Sequence, residues 1–126
     1  MRTHLLLIAA LLLGAGAVSA ADARQDAAID TKAAFARLKT LAGEWQADTS
    51  MGKVRTTYEV IAGGTALVEK ETGEKMPTMI TVFHLDGNRL VLTHYCAAGN
   101  QPRMQAAAFD AKSGELKFRF LDITTP

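Results

Sequence analysis

The sequence predicts a mainly β chain: an antiparallel meander forming an open or incomplete small barrel, with one amino-terminal capping helix. Two observations carry this. Ahead of Gly43 a single stretch has apolar residues recurring every three to four positions, the period of an amphipathic helix. Beyond Gly43 that period gives way to short alternating runs separated by glycine, asparagine or proline, the pattern of antiparallel strands.

The first segment of the 126-residue chain reads as an export signal rather than as part of the fold. Arg2 and His4 make a weakly basic start, residues 5–13 are an unbroken apolar run, and Val18-Ser19-Ala20 supplies the small residues of a cleavage site. A membrane-spanning helix takes about 20 apolar residues. This run is shorter and is interrupted by Gly14 and Gly16. Residues 1–20 are therefore expected to be a signal peptide, with the mature protein periplasmic or secreted and carrying no membrane anchor. Residues 21–29, rich in alanine and without an apolar stripe, read as a mobile lead. Residues 30–126 read as one domain, the size that supports a single core.

The formal charge of +1 comes from 14 basic and 13 acidic residues without basic clusters, so no nucleic-acid footprint is present. Cys96 is the only cysteine, so no internal disulfide forms and packing must hold the fold unless Cys96 pairs between chains.

Asp30 or Thr31 is placed to cap the helix, whose apolar positions are Phe35, Leu38, Leu41 and Ala42, with Gly43 placed to end it. Strands are expected over 44–49, 54–61, 66–71, 78–85, 89–96, 103–109 and 116–121. Met51-Gly52, Gly63-Gly64, Asp86-Gly87 and Ser113-Gly114 mark the tight turns. With Asp86-Gly87 as a two-residue turn, Phe83 would face Leu90, Thr81 would face Leu92 and Met79 would face His94. His94 and Cys96 would then share a face with Phe83, Leu90 and Leu92, and His84 would lie on the other. The last hairpin places Phe109, Leu116, Phe118 and Phe120 on one face and Lys117 and Arg119 on the other. The sequence stops directly after a strand, and closing such a barrel takes about eight strands. Either the sheet stays open at its carboxyl-terminal edge or the sequence is a fragment lacking its last strands; the fragment is the expectation, because an open apolar edge invites aggregation.

Gly43-Glu44-Trp45, at the junction of helix and first strand, resembles the opening signature of lipocalins and related calycins. The resemblance extends through Gly63-Gly64-Thr65-Ala66-Leu67-Val68-Glu69 and Thr93-His94-Tyr95-Cys96 to Asn100-Gln101-Pro102-Arg103-Met104. It points to exported bacterial proteins of a calycin-like, nitrobindin-like type whose role is largely unassigned. What it implies is a small barrel that binds an apolar or amphipathic molecule, with Gly43 and Trp45 structural and Trp45 closing one end. An indole in that place is expected to be buried against Phe35 or Leu38.

Polar side chains concentrate over residues 93–103, which gives this segment the character of a pocket floor or rim. The expected ligand contacts are Phe83, Leu92, His94 and Phe118 on the inner face, approached past Asn100 and Arg103, with Arg103 orienting the polar end of the ligand. The plain alternative is that Asn100, Gln101 and Pro102 build a loop and Arg103 is solvated. His94 and Cys96 are two apart on a strand and point the same way, but zinc takes three or four ligands. No catalytic residue and no metal set is assigned, and no Gly-x-Ser-x-Gly, His-Glu-x-x-His or phosphate-binding loop occurs. Two rival readings stand beside the binding protein: a haem or metal protein using His94, His84 or Cys96, and an interaction module without a pocket.

Overall fold

A computed structural model describes residues 28–125. The expected signal peptide and most of the expected lead lie outside the described residues. The elements run α1 (Thr31–Lys39), β1 (Gly43–Thr49), β2 (Gly52–Ile61), β3 (Ala66–Gly73), β4 (Met76–Asp86), β5 (Arg89–Tyr95), β6 (Pro102–Asp110) and β7 (Glu115–Ile123). All seven strands form one sheet in chain order, each antiparallel to the next. Among the described residues β1 and β7 do not pair, so the sheet is a meander that is not closed into a barrel.

The Asp30 side chain caps α1 by accepting from Ala33 N–H at 2.9 Å, which satisfies one of the free amides of the first turn. The helix is shorter than its sequence spacing suggests. It ends at Lys39 with Thr40 as the C-cap, and Gly43 instead opens β1 with φ 133°, a conformation that favours glycine. Ala34 and Phe35 are buried, and with Leu67, Phe83, Leu90, Leu92 and Ala106 they form the core. Ile29, expected in a mobile lead, packs on this core, because its apolar side chain finds a place beside the helix start. Two hydrogen bonds fasten the helix at its ends: Thr31 Oγ1 donates to Asn88 O at 3.1 Å, and Lys39 Nζ donates to Gly64 O at 3.2 Å.

The β4–β5 register corrects the sequence expectation. The pairs are Asp86 with Arg89, Leu85 with Leu90, Phe83 with Leu92 and Thr81 with His94, so the two-residue loop is Gly87-Asn88. Gly87 has φ 59°, the positive φ that the favoured two-residue hairpin turns require at their first loop position. The slip is by two residues, which preserves the faces, whereas a slip by one would have turned every side chain over. Strand β5 also stops at Tyr95, one residue before Cys96. Cys96 belongs to the turn instead: its N–H donates to Asn100 O at 3.1 Å, and its Sγ accepts from Ala98 N–H at 3.5 Å.

Candidate functional site

The helix covers only one end of the inner, concave face, and the pairing registers resolve that face into rows running across the strands. Nearest the helix runs an apolar row of Val60, Leu67, Phe83, Leu92, Met104 and Phe120, of which Leu67, Phe83 and Leu92 are buried in the core with Ala34 and Phe35. The next row is polar: Tyr58, Glu69, Thr81 and His94, from four successive strands. Beyond it comes Trp45, Thr56, Glu71 and Met79, on β1 to β4.

The polar row is joined by hydrogen bonds. Tyr58 Oη donates to Glu69 Oε2 at 2.6 Å, and Thr81 Oγ1 donates to Glu69 Oε1 at 3.1 Å. Thr81 Oγ1 also lies 2.9 Å from His94 Nδ1. A carboxylate only accepts and a hydroxyl has one hydrogen, so Thr81 must accept from His94. His94 Nδ1 therefore carries a hydrogen, and Nε2 is the ring atom left for another partner. Thr81 is only 5% exposed, and its bonds on both sides offset the cost of burying a hydroxyl. Burial, followed by the bonded Glu69 carboxylate and the charge of Glu71, pushes the Tyr58 phenol well above the usual tyrosine value.

Past the polar row the face opens into a groove of about 450 Å³, lined by Trp45, Ala47, Val54, Glu71, Met76 and Met79 among others. Trp45 corrects an expectation. It is 53% exposed rather than buried against Phe35 or Leu38, because it stands on the edge strand in the row farther from the helix. Its indole is nevertheless held, with Nε1 donating to Leu41 O at 2.7 Å.

The residues expected to touch a ligand are divided by the fold. Phe83, Leu92, His94 and Phe118 do share the inner face, and the rings of Phe83 and Phe118 lie 6.1 Å apart. Phe83 and Leu92 are core residues beneath α1. Asn100 lies in the β5–β6 turn, where its carbonyl accepts from Cys96. Arg103 pairs with Thr93 on the outer, convex face and is bound by Nε and an Nη to the Asp122 carboxylate, which holds that carboxyl below the usual aspartate range. His84 also lies on the outer face, opposite Val91, and its Nδ1 is 3.2 Å from Leu85 O. His94, His84 and Cys96 thus do not converge, and among the described residues no three His, Cys, Asp or Glu side chains are grouped to hold a metal ion. No described helix is long and apolar enough to cross a membrane.

Tyr58, Glu69, Thr81 and Glu71 were not anticipated as site residues. The signal was nonetheless present: alternation from Leu67 puts Glu69 and Glu71 on the apolar side of β3, where a carboxylate is costly unless it has a role. Compared with family models, curated proteins and solved structures, the chain matches none.

Proposed function

We propose that the protein is an exported, calycin-like binding protein for a small amphipathic molecule, held on the concave face of the open sheet. The observation that carries this is the adjoining of an apolar groove and a hydrogen-bonded polar row on one face. The lining of Trp45, Ala47, Val54, Met76 and Met79 receives apolar substance, and methionine adapts to irregular shapes. The Tyr58–Glu69–Thr81–His94 row beside it offers an oriented polar surface, with His94 Nε2 as its least engaged atom. Such a combination of apolar walls and a few placed polar groups is the usual character of a ligand site.

Trp45 is the only tryptophan in the sequence, so its fluorescence reports on the groove directly. Titration with a neutral apolar dye is expected to shift its emission to the blue. Ala47→Arg, an exposed change on β1, is expected to abolish the shift without unfolding the protein. Unchanged emission at saturating dye, or full binding by the Ala47→Arg variant, would remove the proposal. For the export part, amino-terminal sequencing of the mature protein is expected to begin at Ala21 or Asp22, and a chain that still starts at Met1 in the membrane fraction contradicts it.

A further inference from the structure

The sign of the charge on the concave face names the ligand class more closely. Among the described residues, every Lys and Arg on a strand lies on the convex face: Lys53, Arg55, Lys70, Arg89, Arg103 and Arg119 follow from their pairing, and Lys117 stands between the inward Leu116 and Phe118. The carboxylates of Glu69 and Glu71 alternate to the concave face with Leu67. Glu69 is engaged by Tyr58 and Thr81, whereas Glu71 forms no ion pair among the described residues and lines the groove. His94 faces the same side, with its Nδ1 turned to Thr81. Lys39, on the helix, is held to Gly64 at the opposite end of β2 and β3 from the groove.

Trp45 and Glu71 flank Thr56 in one row, on β1 and β3 with β2 between them. Two strand spacings put their backbones about 10 Å apart, and the small Thr56 side chain leaves a slot above it. The indole is fixed by its bond to Leu41 O, so one ring is presented in a set orientation beside a carboxylate. A ring face and a carboxylate across a slot are the two attractions that select an ammonium group.

We infer that the groove takes an amphipathic cation, an alkyl chain bearing an amine or quaternary ammonium, with the cationic head between Trp45 and Glu71 and the chain along Val54, Met76 and Met79. The inference rests on the groove being a binding site and adds the sign of the ligand's charge. It replaces the expectation that Arg103 orients the polar end of the ligand, since that guanidinium lies on the far face.

The test uses three probes with the same decyl chain and different heads: trimethylammonium, carboxylate and maltoside, each below its micellar concentration. Binding is read from Trp45 emission, with far-UV circular dichroism to confirm that the fold persists. The trimethylammonium probe is expected to bind about tenfold tighter than the other two, and Glu71→Gln to weaken it about three- to tenfold more than it weakens the maltoside probe. Its affinity is also expected to fall as salt is raised, which the neutral probe's does not. Trp45→Leu, read by calorimetry, is expected to erase the preference. Equal affinity for the three heads, or a preference that Glu71→Gln leaves undiminished, overturns the inference while the groove stands as a binding site. Failure of all three probes to bind overturns both.

Discussion

Tyr58 Oη donates a 2.6 Å hydrogen bond across the β2–β3 pair to Glu69 Oε2, so a phenol and a carboxylate face each other on the inner side of the sheet. Replacing Tyr58 with Phe removes one of the two hydroxyls that hold Glu69. A bond to a charged acceptor is worth about 1.5 kcal/mol or more, and the expected loss is of that size because the pair is only part-buried. Urea unfolding of Tyr58→Phe, with the slope unchanged, measures it.

The same relationship predicts alkaline behaviour. The folded protein keeps the Tyr58 proton beyond the pH near 10 at which an unfolded tyrosine ionises. Because the folded pKa is raised, the stability contribution is complete below the unfolded value and is lost as pH climbs toward the folded one. In Tyr95→Phe, Tyr58 is the only tyrosine left. Its tyrosinate absorbance is expected to rise above pH 10 and only as the fold is lost; a reversible ionisation at about 10 in folded protein contradicts this.

Thr81 links the carboxylate to the imidazole, and Thr81→Val keeps the shape while removing both bonds. A cost of about 1–3 kcal/mol is expected, since Glu69 and His94 each lose a partner. Thr81→Ser is expected to recover most of it. Nitrogen chemical shifts of the His94 ring are expected to show hydrogen on Nδ1 in the native protein and a mixed tautomer in Thr81→Val.

Burial separates residues of similar chemistry. Leu67 is fully buried where β3 meets β4 under the helix, and Leu67→Ala is expected to cost about 2–5 kcal/mol. Phe120, in the same row but 59% exposed on the edge strand, is expected to change stability by less than about 1 kcal/mol when replaced by Ala. Thermal or urea unfolding of the two variants tests the contrast.

Arg103→Ala is expected to leave binding in the groove unchanged, because the side chain lies on the convex face with Asp122. It is expected to lower stability at neutral pH and to make no difference in strong acid. Asp122 has a depressed pKa, so its contribution exists above the unfolded aspartate value and disappears as pH falls through the folded one. Equilibrium unfolding from neutral pH downward, native against Arg103→Ala, should show curves that differ above that window and merge below it.

The local rules of the chain determined the elements. The alternation beyond Gly43 located all seven strands to within a few residues, and the Asp30 cap and Phe35 stripe located the helix. Period two also fixed the faces, which is why a two-residue error in the β4–β5 register left Phe83, Leu92 and His94 on the same side. What periodicity does not contain is position along a strand relative to its neighbours' neighbours. Only the summed registers of four strands bring Tyr58, Glu69, Thr81 and His94 into one row, although they are spread over 37 positions between the first and last, residues 58 to 94. Where the helix lies on the sheet is likewise a tertiary matter: it covers Leu67 and Phe83 and leaves Trp45 in the open, a difference that no residue's immediate sequence records. Alternation is a steric property of each strand, while the rows and the covered end arise from pairing and packing between distant segments, and those decided the site.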